Sequence, residues 1–173
     1  MNRFLINYTP ELCARDMCDK HVVKMPLEEA QMLCTTVRLH APEYAEEAGL
    51  YRAVHQKHPC TIWAGMTSSN FRYSLEMFRQ MCREYTHRYN KVHASFRLYD
   101  ALKDAEKYVP DGYITSHPEC FSEHTNLKSG VNWPIQSYRK FYVTKQKRFK
   151  MAWTRRDKPE WFVQETEDAY AYM

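Results

Sequence analysis

From Phe71 to Tyr89 a large apolar or aromatic residue recurs at intervals of four and three: Phe71, Leu75, Phe78, Cys82, Tyr85 and Tyr89. An α-helix aligns residues at that spacing on one face, whereas a strand would scatter them over both. Thr67, Ser68 or Ser69 can cap the helix, because a side-chain oxygen there accepts an unpaired N–H of the first turn. Arg72, Arg79, Arg83 and Arg88 are expected on its other sides. A helix this amphipathic must bury its stripe against a partner.

The partner is predicted upstream. A helix is expected to begin at Glu11–His21, after the breakers Asn7, Thr9 and Pro10, and to run to about His40. Val22, Val23, Leu27, Ala30, Leu33, Cys34 and Val37 fall within roughly 140° of a helical wheel. His21, Lys24, Glu28 and Gln31 share an opposite wedge about 80° wide. Pro26 implies a kink or a restart. A third helix is expected from about Pro134 to Arg148, and a short acidic one within Glu43–Ala53. Met1–Tyr8 reads as an extended lead-in and Asp104–Gly130 as loop. Only four glycines occur in 173 residues, where average usage would give about 12, which argues against Gly-rich phosphate loops. The expected fold is mainly α: one compact domain over 1–173, about three main helices with long connecting loops, and a tail (158–173) packing on the body.

Charge is unevenly distributed. Between Trp133 and Trp161 stand nine Lys/Arg (Arg139, Lys140, Lys145, Lys147, Arg148, Lys150, Arg155, Arg156, Lys158) against two acids, a formal +7. Tyr138, Phe141, Tyr142, Phe149, Trp153 and Trp161 interleave with them. Basic residues with aromatic ones suit phosphate contact and stacking on bases, so duplex DNA is the expected partner. A solvated helix face would look the same in sequence. No apolar run is long enough for a membrane span and no export signal is seen, so a cytoplasmic monomer with six reduced cysteines is expected.

Four groupings could carry chemistry. Asp19, Lys20, His21, Lys24, Glu28 and Gln31 put a carboxylate, a lysine and a histidine on one helical face, the ingredients of proton transfer and equally of a solvent-facing stripe. Arg3 stands beside the chain's first amine. An α-amine has an ordinary pKa near 7.7–8.0, so roughly a tenth is nucleophilic at pH 7. Such an amine can attack a sugar C1′, expel a base and leave an imine, with neither metal nor cofactor. Cys13-x4-Cys18-x2-His21, with His55, His58 and Cys60 elsewhere, is no closed zinc pattern, and no metal site is expected. Trp63, in His58-Pro59-Cys60-Thr61-Ile62-Trp63, is expected in the core, whereas Trp161 follows the basic stripe and suits a DNA-facing role.

These stretches together resemble the pyrimidine-dimer DNA glycosylase (phage endonuclease V) superfamily and related phage and bacterial proteins. The carriers are Asp19-Lys20-His21-Val22-Val23-Lys24-Met25-x2-Glu28-x2-Gln31, His58-Pro59-x3-Trp63, Glu84-Tyr85-Thr86-x-Arg88-Tyr89 and Lys158-Pro159-x-Trp161-Phe162. The resemblance implies a helical, metal-independent glycosylase/AP lyase acting on damaged or modified pyrimidines. Its nucleophile would be the first amine, with Glu28 moving protons and Arg3 and His21 shaping the site. The family start Met-Thr-Arg is here Met1-Asn2-Arg3; Asn2 is a poor residue for methionine removal, so the amine falls on Met1, or on Asn2 if removal occurs. The family's arginines flanking the glutamate map to Leu27 and Gln31. Two alternatives fit the same residues: a non-catalytic DNA-binding protein of this fold, and a phage enzyme processing a modified base through Lys24 and Glu28.

Overall fold

The computed structural model describes residues 1–171, so the last two positions of the expected tail, 172–173, lie outside the described residues. The described chain is all-helical, with eight α-helices where about three main ones are expected. They are α1 (Pro10–Asp16), α2 (Asp19–His40), α3 (Pro42–Glu47), α4 (Pro59–Met66), α5 (Ser68–Tyr89), α6 (Tyr99–Asp104), α7 (Ile135–Val143) and α8 (Glu160–Ala171). Two of them dominate: α2 and α5 have 22 residues each and pack side by side.

The expected single helix from Glu11 breaks at Met17–Cys18, where both residues turn extended. The Tyr142 hydroxyl accepts the Cys18 N–H at 2.9 Å, and Asp19 N–H donates to the Ala152 carbonyl at 2.8 Å. Tertiary partners thus satisfy donors that a continuous helix would have used, and no local breaker is needed. Pro26 sits inside α2 without ending it. It has no N–H to donate to the carbonyl one turn back. Nearby, His93 Nε2 lies 3.2 Å from the Val23 carbonyl oxygen.

The apolar stripe of α5 is buried through Phe71, Leu75, Phe78 and Cys82, and Thr67 caps the helix by accepting from Asn70 N–H at 3.1 Å. Asn90 ends it in the left-handed region at φ 53°. Arg88 is a correction: its side chain is wholly buried, holding Glu84, Asp19 and the Arg15 carbonyl. On α2 the core face is Val22, Met25, Ala30, Leu33, Cys34 and Val37, while Val23 and Leu27 are exposed. The predicted polar wedge is rotated accordingly, and His21, Glu28 and Glu29 are buried. Gly65 lets α4 approach α2, since a Cβ there would lie 3.1 Å from His40 and 3.2 Å from Thr36.

The third expected helix is α7 followed by a 3-10 turn at Thr144–Lys147. Beyond it, Phe162 of α8 is buried against Tyr142 and Trp153. No helix among the described residues is long and apolar enough to cross a membrane.

Candidate active site around the first residue

The lead-in segment is threaded through the core without pairing as a strand. Side chains satisfy its carbonyls: His58 bonds Met1 O at 3.0 Å, Arg139 Nε donates to Ile6 O at 2.9 Å, and Cys13 Sγ donates to Asn7 O. Leu5 and Ile6 are fully buried. Arg3, also buried, makes a bidentate pair with Glu29 of α2 and lies over the Trp63 ring at 5.2 Å. Asn2 Nδ2 donates to the Cys120 carbonyl at 2.7 Å.

These anchors bring the Met1 nitrogen to 3.8 Å from Glu28 Oε2, and Lys24 Nζ lies 3.1 Å from Glu28 Oε1. One nearly buried carboxylate therefore stands between two amines. Lys24 is exposed and links this group to a basic rim. Lys20 and Lys145 both act on His21, as Lys24 does, and Arg148 stands near Lys145. Lys20 lies over the Phe149 ring at 4.5 Å and Lys145 over Phe141 at 4.1 Å. Gln31, half-buried, is on α2 one turn beyond Glu28.

His21 stacks near Phe4, with ring centroids 4.7 Å apart, and its Nδ1 is 2.7 Å from the Tyr142 hydroxyl. That hydroxyl also accepts from Cys18 N–H at 2.9 Å, so the ring and the start of α2 share one buried partner. Burial, then Lys145, Lys24 and Lys20, push the His21 pKa down to about 3. A histidine buried in this way carries no charge between pH 5 and 8.

The predicted DNA-contacting residues divide into two groups. Lys140, Lys147 and Lys150 are exposed, as is Arg148, which pairs with Glu123 at 3.1 Å. Arg139 is engaged with Ile6 and Trp161, Arg156 with Glu84, and Arg155 with His87 and Asn90. Trp161 is half-buried, with its indole N–H donated to Asp16 Oδ2 at 2.6 Å and its ring beside Tyr142 and Phe162. Trp63 is in the core, as expected. The buried Glu29, which holds Arg3, was missed because it adjoins Glu28 in sequence and its partner lies 26 positions away. No protein-family model matches the chain, and no curated protein or solved structure matches it either.

Proposed function

We propose that this chain is a base-excision enzyme of the glycosylase/AP lyase type, acting as a monomer on duplex DNA in the cytoplasm, with the Met1 amine as nucleophile and Glu28 as proton carrier. The reading is carried by the 3.8 Å approach of the Met1 nitrogen to Glu28 across 27 positions of sequence. A terminus held through His58 on the Met1 carbonyl, Asn2 on the Cys120 carbonyl and Arg3 on Glu29, and set against a carboxylate, is unlike the frayed end usual for termini. The rim of Lys20, Lys24 and Lys145 around the site suits a polyanion. The resemblance to the pyrimidine-dimer glycosylases points the same way and supplies the lesion class, damaged or modified pyrimidines.

The chemistry follows from the pair. The neutral amine donates its lone pair to C1′, and the N-glycosidic electrons leave with the base, which takes up a proton. Glu28 accepts the proton that the amine loses, the sugar ring opens, and an imine links Met1 to C1′. Loss of a C2′ proton expels the 3′ phosphate by β-elimination, and water hydrolyses the imine to restore the amine.

A second reading is favoured by the shorter contact between Lys24 and Glu28, 3.1 Å. There Lys24 is the amine and the substrate a modified base. The two are separated by incubating the chain, its free terminus verified by intact mass, with duplex carrying one abasic site. Cleavage lost in Glu28→Gln and kept in Lys24→Ala supports the Met1 reading. Cleavage lost in Lys24→Ala but unaffected by blocking the terminal amine supports the second. Binding with no cleavage of abasic or dimer-bearing duplex overturns both.

A further inference from the structure

We propose that His58, Cys60 and Cys120 form a binding site for one thiophilic divalent cation of the zinc class. One ring nitrogen of His58 and the two sulfurs lie within 4.8 Å of one another, the one such three-ligand grouping of His, Cys, Asp or Glu among the described residues. Cys60 Sγ and Cys120 Sγ are 3.7 Å apart. In a tetrahedral site with metal–sulfur bonds of about 2.3 Å, neighbouring sulfurs are separated by about 3.8 Å. The two thiols already stand at the spacing a shared cation needs, though 60 positions apart in sequence.

The imidazole is prepared in the same sense. His58 Nδ1 accepts the Cys60 N–H at 3.1 Å, so the ring proton is on Nε2 and is donated to the Met1 carbonyl at 3.0 Å. A ring N–H held by a backbone carbonyl, which leaves the other nitrogen unprotonated, is the usual setting of a metal-bound histidine. To ligate, Nδ1 exchanges its helix-capping bond to Cys60 N–H for the bond to the cation.

Charge also fits. A cation would replace the proton shared between the sulfurs. Binding forms two sulfur–metal bonds and one nitrogen–metal bond, and any remaining thiol protons pass to solvent. A divalent ion with two thiolates and a neutral imidazole has no net charge, which suits a corner where Arg3 is already matched by Glu29. The three ligands join the start of α4 to the loop before α7, the two elements that hold Met1 and Asn2. The inference is independent of which amine reacts.

The test is a Co2+ titration of the full reduced chain after chelator treatment. The expected result is a sulfur-to-cobalt charge-transfer band saturating at one ion per chain and displaced by Zn2+. Cys60→Ser and Cys120→Ser should abolish it, His58→Gln should weaken binding at least about tenfold, and Cys34→Ser, a buried thiol on α2, should leave it unchanged. Circular dichroism checks that each variant is folded; Cys120→Ser, at the less buried thiol, is the decisive one. Absence of the band in folded wild type, an unchanged band in folded Cys120→Ser, or a Cys60–Cys120 disulfide in place of metal uptake would overturn the proposal.

Discussion

Arg3 and Glu29 form a bidentate ion pair wholly inside the protein, and it fixes the position of the chain's first residues on α2. Each charge has been taken out of water and is compensated chiefly by the other. Glu29→Gln should therefore destabilise the fold by about 3–5 kcal/mol, because it leaves the Arg3 guanidinium buried and unpaired. The double change Arg3→Met with Glu29→Met should cost less than Glu29→Gln alone. Chemical denaturation of the variants measures both, and a double variant as unstable as the sum of its single changes would contradict the account.

His21 should stay neutral far into acid. Its pKa is held down to about 3 by burial and the neighbouring lysines. Between about 6.5 and 3 the unfolded chain takes up a proton at this position and the folded chain does not. The contribution of His21 is thus present above pH 6.5 and lost progressively as pH falls towards 3. Glu84 acts in the same direction: burial raises it, but hydrogen bonds from Arg156 and Arg88 outweigh this and hold it low, so its contribution is lost in acid as well. NMR titration should show the His21 ring signals unmoved from pH 8 to 5, and His21→Gln should flatten the stability profile over pH 6.5 to 3.

The basic residues should separate by experiment as they do in space. Lys20→Ala and Lys145→Ala, on the rim, should each reduce the slope of log affinity against log salt by about 0.9 without a large change in stability. Arg156→Ala and Arg139→Ala should instead cost about 1–3 kcal/mol of stability, through the lost Glu84 and Ile6 bonds, and leave the slope alone. Salt-dependent binding to duplex DNA and thermal unfolding distinguish the two classes.

Much of the architecture can be read from local pattern. The four-and-three spacing of α5 is set by its own residues, and Thr67 caps it as its side chain allows. The Asp19–Gln31 stretch also forms the helix its pattern predicts, within α2. What escapes is whatever depends on a distant partner. The break at Met17–Cys18 needs the Tyr142 hydroxyl 124 positions away, and nothing local signals it. Glu29 is buried for Arg3, and Arg88 is buried for Asp19. Charged residues in an amphipathic pattern read as solvent-facing, so a buried ion pair is invisible until both halves are placed. The same applies to Trp161, whose indole N–H bonds Asp16 145 positions away.

The proximity of Met1 to Glu28 is most directly tested by borohydride trapping. Wild-type chain with a verified free terminus is incubated with abasic duplex, reduced, digested and mapped by mass spectrometry. The account predicts the sugar remnant on the Met1 nitrogen, in an adduct that Glu28→Gln forms much more slowly. An adduct on Lys24 or another lysine, or none while the duplex is bound, would contradict it.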